Sequence, residues 1–208
     1  MKFILLLTVL LPLYSNAQRS KRVYCDSYRS SNTSGYSIYR TRDHKDLANA
    51  IFRDRSTCEF SADTTNRYRS TMVCAQYKKN SRSGFSLYRI RDNKDLGNAL
   101  IANIDDCYSF VRSQGNSRSG LFCSTYYNSR TASSAYSVYR SRDNKDLGKA
   151  TISNIDTCNL AVESSRNGNF CSTFNSGAKS GYSIYSIKTG QDIGTLIYSS
   201  MENCIRNL

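Results

Sequence analysis

Three kinds of side chain recur in this sequence at spacings that can do chemistry. The first is a charge cluster of Arg40, Arg42, Asp43, Lys45 and Asp46. It returns as Arg89, Arg91, Asp92, Lys94 and Asp95, and again as Arg140, Arg142, Asp143, Lys145 and Asp146. Paired guanidinium groups grip phosphate or carboxylate oxygens in a bidentate fashion. With three cations to two carboxylates, however, the cluster nearly neutralises itself, and bracing by internal ion pairs is favoured over ligand capture. The second kind is aromatic: Tyr28 with Tyr39, Tyr77 with Tyr88, Tyr126 with Tyr139, and Phe174 with Tyr185. Ring faces of this sort stack on sugars or bases. The third is cysteine, as Cys25/Cys58, Cys74/Cys107, Cys123/Cys158 and Cys171/Cys204.

The inventory also excludes chemistry. His44 is the only histidine, and its counterparts are Asn93, Asn144 and Gly190, none of which can shuttle a proton. No GxSxG, P-loop, HExxH or EF-hand pattern occurs. Zinc is disfavoured because no CxxC pair exists, so no metal and no cofactor are expected. The adjacent carboxylates Asp105 and Asp106 read as a solvated helix surface.

The elements that must position these residues repeat with them. Phe85–Cys107 has copies at Tyr36–Cys58, Tyr136–Cys158 and Tyr182–Cys204. Each is preceded by an extended segment holding the first Cys and by a Ser/Asn/Gly-rich turn, which together predict a hairpin. The third copy carries two extra residues at the hairpin tip, an insertion that leaves the alternation of faces unchanged. Placing Cys25 opposite Ile38 turns both toward a helix and sends Tyr28 and Tyr39 to the other face. That outer face either packs against another sheet or offers an aromatic platform.

A helix is expected to start directly after the second strand, with Asp43, Asp92, Asp143 and Thr189 as N-caps. Asp46, Asp95, Asp146 and Asp192 would then sit in its first turn, complementing the helix dipole. Leu96, Ala99, Leu100, Ile104 and Cys107 would form its apolar stripe. Gly97, Gly148 and Gly194 suggest close helix-to-sheet contact. The stretches Ser61–Arg67, Ser113–Ser119 and Glu163–Asn169 read as polar connectors.

The predicted fold class is α+β: four tandem disulfide-stabilised ββα repeats, each an antiparallel hairpin plus a helix, with the helices on one face of the sheet or sheets. The repeats span 18–66, 67–116, 117–166 and 167–208, the last degenerate and capping. At about 48 residues a single repeat is too small for a generous core, so stacking and cross-links should both contribute. Cysteine pairing within each repeat is favoured over pairing between neighbours, although both satisfy the repetition.

Residues 1–17 read as a cleaved secretory signal peptide: Lys2, an apolar run, then Ser15 and Ala17 at small-residue positions. No later segment is long and apolar enough to span a bilayer. The even cysteine count behind such a leader points to disulfides in a secreted or periplasmic setting. The net charge of +13, to which the leader's Lys2 contributes one, favours polyanionic partners.

Together these features predict a secreted, non-enzymatic protein that binds an anionic polymer or glycan multivalently, with nonspecific nucleic-acid binding as one form and no integral membrane association. Repetition supports this, because several weak equivalent sites gain avidity. The candidate ligand-binding residues are Tyr28, Tyr39, Tyr77, Tyr88, Tyr126, Tyr139 and Tyr185 on the outer face. The basic candidates are Arg40, Arg42, Arg89, Arg91, Arg140, Arg142, Lys78, Lys79 and Arg82. The alternatives are a secreted hydrolase with a cleft between repeats, and a structural envelope or matrix protein.

Overall fold

A computed structural model describes residues 21–31, 33–79, 82–97, 101–128, 133–148 and 152–208; the side chains at 48–51, 78–79, 82, 127–128 and 133–134 lie outside that description, as does the leader 1–17. The first repeat runs β1 (Val23–Ser30), β2 (Thr33–Arg40), β3 (Asp46–Phe52), α1 (Arg55–Arg67). The second runs β4 (Met72–Lys79), β5 (Arg82–Arg89), β6 (Lys94–Asp95), α2 (Ile104–Asn116), and the third β7 (Leu121–Asn128), β8 (Ser133–Arg140), β9 (Lys145–Asp146), α3 (Ile155–Glu163). The fourth has β10 (Asn169–Ser176), β11 (Lys179–Ser186) and α4 (Met201–Arg206).

The hairpin register follows the alternation of apolar residues. Cys25 pairs with Ile38, Cys74 with Leu87, Cys123 with Val138 and Cys171 with Ile184. Disulfides form within repeats, as Cys25–Cys58, Cys74–Cys107, Cys123–Cys158 and Cys171–Cys204, across sequence separations of 33, 33, 35 and 33. Each closure is worth about 3.7 kcal/mol if it acts by restricting the unfolded chain.

The segment after the hairpin departs from expectation. Instead of starting a helix at Asp43, Asp92 and Asp143, the chain turns and returns as a third antiparallel strand, pairing Tyr39 with Asp46, Tyr88 with Asp95 and Tyr139 with Asp146. The fourth repeat keeps only the isolated bridges Tyr185–Asp192 and Tyr182–Tyr198. His44, Asn93, Asn144 and Gly190 sit in the left-handed region of this turn, with φ of 53, 60, 61 and 72°. Asn and Gly visit that region most readily.

The returning strand is latched. Asp46, Asp95, Asp146 and Asp192 accept a hydrogen bond from the hydroxyl of Ser37, Ser86, Ser137 and Ser183 at 2.5–2.6 Å. Asp95, Asp146 and Asp192 also take the backbone N–H of Gly97, Gly148 and Gly194 at 2.9–3.0 Å. These aspartates therefore anchor a strand rather than complement a helix dipole. Gly97 and Gly194 do mark close contacts, but with strand serines: a Cβ on either would collide with Ser86 or Ser183.

The helices begin one segment later. Their N-caps are Asp54, Asn103, Asn154 and Ser200, whose side chains accept from the amides of Thr57, Asp105, Asp156 with Thr157, and Asn203. Each second Cys thus lies in the first turn. Ser61–Arg67 and Ser113–Asn116 are helix rather than connector, and Leu96 lies outside the helix that holds Ile104 and Cys107; Ala99 and Leu100 fall outside the described residues.

Helices are not confined to one outer face. Each of α1, α2 and α3 packs on its own hairpin and on the first strand of the next repeat. One core joins Val23, Ile38, Leu47 and Phe52 of the first repeat to Val73, Ala75, Tyr88 and Ile90 of the second, and a larger one runs on through repeats two to four. The array is a stack in which a sheet's outer face is buried against the preceding repeat.

Candidate functional site

The two arginines of each Arg-x-Arg-Asp segment have different fates. Alternation along the strand turns Arg40, Arg89 and Arg140 inward, where each is only 7–8% exposed. Arg89 donates through Nε and Nη2 to both oxygens of Asp92, and through Nη1 to the carbonyls of Ser141 and Arg142 at 2.5 Å. Arg140 repeats this with Asp143 and the carbonyls of Ile187 and Lys188 at 2.9 and 2.6 Å. Arg40 pairs with Asp43 and reaches Ile90 and Arg91. Each guanidinium thus clasps the following repeat's turn. The hydrogen bonds from these arginines hold Asp43, Asp92 and Asp143 down at a pKa of about 2.

Arg42, Arg91 and Arg142 point to water, with side chains 69, 71 and 68% exposed. They lie 3.6–3.9 Å from aspartates already engaged by the inner arginines. Stacking of the turns brings them together with Lys21 and Arg22 around a groove of ≈ 630 Å³ whose wall includes Thr71 and Ile90. A second hollow of ≈ 300 Å³ continues past Arg142 to Lys188, the residue at the same position in the fourth repeat. There Thr189 replaces the aspartate, so Lys188 lacks a carboxylate beside it in sequence. One exposed cation per repeat along an open groove can hold a chain of anionic groups.

The aromatic candidates do not form an open platform. Tyr88, Tyr139 and Tyr185 are 7, 1 and 7% exposed, because the preceding repeat covers the outer face. Tyr139 stacks on Phe122 at 5.5 Å, and the Tyr185 hydroxyl donates to the Thr173 carbonyl at 3.0 Å. Burial pushes the Tyr88 hydroxyl pKa up, and that of Tyr185 to about 12. Tyr28, Tyr77 and Tyr126 are half-buried. Tyr39, on the first sheet, is half-buried too and stacks on Tyr24 at 5.7 Å; the Tyr24 hydroxyl lies 2.7 Å from His44 Nδ1. Lys78, Lys79 and Arg82 are at the β4–β5 tip, and their side chains lie outside the described residues.

Among the described residues no group of three or more His, Cys, Asp or Glu is gathered for a metal, and no helix is long and apolar enough to cross a membrane. Sequence reasoning had singled out Arg42, Arg91 and Arg142 but not their meeting with Thr71, Ser141 and Lys188. The recurrence of Arg42, Arg91, Arg142 and Lys188 at one repeat position was the available signal. Comparison of the chain with family models, curated proteins and solved structures finds no match.

Proposed function

We propose that this chain is a secreted, non-enzymatic protein that binds a linear anionic polymer along the edge formed by its stacked turns. The observation that carries the reading is the row of exposed Arg42, Arg91, Arg142 and Lys188 beside two adjoining hollows that share Ser141 and Arg142. The inner arginines meet the structural demand for charge, which leaves the outer ones free to contact anions. Weak contacts repeated along a polymer add through effective concentration, so affinity grows with polymer length. The four disulfides support an oxidising compartment. An acidic envelope polysaccharide is the natural ligand class, and nucleic acid is a weaker, salt-sensitive one.

The test is salt elution from immobilised heparin, with duplex DNA binding as a second assay. The triple variant Arg42→Ser/Arg91→Ser/Arg142→Ser should elute at lower salt than a control neutralised at the exposed Arg53, Arg118 and Lys179. With DNA, its log–log salt slope should become shallower by about 2.7, or 0.9 for each lost phosphate contact. Equal elution of variant and control would refute a groove-centred site.

A further inference from the structure

A second cleft, between α1 and α2, breaks the repetition. It has a volume of ≈ 280 Å³ and is lined by the rings of Phe60, Tyr68 and Tyr108 and by Arg67, Arg112 and Asp63. It shares no residue with the basic groove. Phe60 is 57% exposed, an uncommon state for a large ring. Its centroid lies 4.8 Å from that of Tyr108, whose hydroxyl donates to the Thr57 carbonyl at 3.3 Å.

The next joint, between α2 and α3, shows what these positions do when they only hold helices together. Counted from the helix cysteines, Phe60 and Tyr108 correspond to Ser109 and Asn159, while Arg67 and Arg112 correspond to Asn116 and Glu163. At that joint Asn159 donates to the Ser109 hydroxyl at 3.1 Å and Asn116 to the Glu163 carboxylate at 3.2 Å. The joint is zipped shut by complementary polar pairs. The α1–α2 joint replaces one pair with two aromatic rings and the other with two like charges. Among the described residues neither Arg67 nor Arg112 has an ion-pair partner, and Asp63, exposed on the same cleft, has none either. Two exposed guanidinium groups line one cleft with a single carboxylate, Asp63, beside them, leaving a net positive charge and free donors for a further anion.

We infer that this cleft is a binding site for a single sugar ring that bears a carboxylate, of the hexuronate class. The carboxylate is held by Arg67 and Arg112, whose planar forks match its geometry. The C–H face of the pyranose lies on Phe60. Asp63 accepts hydrogen bonds from ring hydroxyls. A neutral sugar would leave the guanidinium donors without an anionic acceptor from the ligand, and a small inorganic anion would leave the exposed ring without a partner.

The probe is D-glucuronate, titrated into the full chain and followed by NMR of the aromatic and arginine side chains, with D-glucose and sulfate as comparators. Glucuronate should give saturable shifts at Phe60, Tyr108, Arg67 and Arg112, with at least tenfold weaker binding of glucose and sulfate. Arg112→Glu, which recreates the pairing of the next joint, should abolish the shifts while leaving the backbone amide spectrum otherwise unchanged. The Arg42→Ser/Arg91→Ser/Arg142→Ser variant should bind glucuronate as the parent does, so that failure of the groove and failure of the cleft are told apart. Absence of saturable shifts, an equal response to glucose or sulfate, or binding that survives Arg112→Glu would overturn the assignment.

Discussion

Arg89 and Arg91 stand two residues apart in one repeated segment, yet one is buried against four acceptor atoms and the other projects into water. The same division separates Arg40 from Arg42 and Arg140 from Arg142. The difference arises where the strand ends: the inner arginine is the last strand residue, and the turn that follows carries the outer one away. Stacking gives this consequences: the inner side chain is taken up by the next repeat's carbonyls, whereas the outer one reaches the groove with its charge exposed to water. A residue that recurs from copy to copy is therefore not by that fact functional. The inner row maintains the array, and the outer row is what the array displays.

The sharpest way to break this division is to delete one arginine from each row. Arg89→Ala removes a buried cation and leaves the Ser141 and Arg142 carbonyls without their donor. It should cost about 2–4 kcal/mol in denaturant unfolding with disulfides intact. Arg91→Ala should stay within about 0.5 kcal/mol of the parent while lowering the salt needed for heparin elution. Equal stability losses in the two variants would erase the distinction.

Acid tests the inner row by another route. Asp43, Asp92 and Asp143 titrate at about 2 in the folded chain because their arginines hydrogen-bond the charged form. An unfolded carboxylate titrates at about 3.9. The folded pKa is depressed, so the stabilisation is present above about pH 4 and is lost as pH falls through about 2. The urea midpoint should therefore drop across that window. Asp54 is also held low, by Ser56 and Thr57, so the part belonging to the Arg89–Asp92 clasp is the difference between parent and Arg89→Ala. The drop should be smaller in the variant, and parallel curves would show that the ion pair contributes nothing.

The sequence made one side of this architecture legible. Cys25 opposite Ile38 follows from apolar alternation, and that register makes pairing within repeats feasible without excluding pairing between neighbours; the disulfide Cys25–Cys58 decides it. The helix start was misread because Arg-Asp-Asn-Lys-Asp-Leu satisfies capping rules and turn rules alike. The deciding signal was the column His44, Asn93, Asn144 and Gly190, whose common feature is tolerance of positive φ. What holds the third strand is also nonlocal: Ser86 reaches Asp95 across the sheet. The groove was less legible still, since Arg91 meets Arg42, Ser141 and Arg142 only when separate repeats stack. Burial of Tyr88 and Tyr139 has the same origin, because no local pattern states which sheet faces a neighbour.

The smallest expected effect comes from restoring the inner row where it lapses. The fourth repeat has Ser186 in place of the inner arginine and Thr189 in place of its aspartate. Among the described residues nothing further stacks on it, and Ile193 is 50% exposed where Leu47, Leu96 and Leu147 are at 0%. Ser186→Arg should therefore change stability by no more than about 0.5 kcal/mol, since there are no neighbouring carbonyls to receive the guanidinium. Adding Thr189→Asp restores only a solvent-exposed ion pair, worth about 0.2–1 kcal/mol. A gain from the double variant as large as the loss in Arg89→Ala would mean that the Arg–Asp pair alone supplies the clasp. A small gain would assign the greater part to the carbonyls of the next repeat, which explains why the inner row stops one repeat before the outer row does.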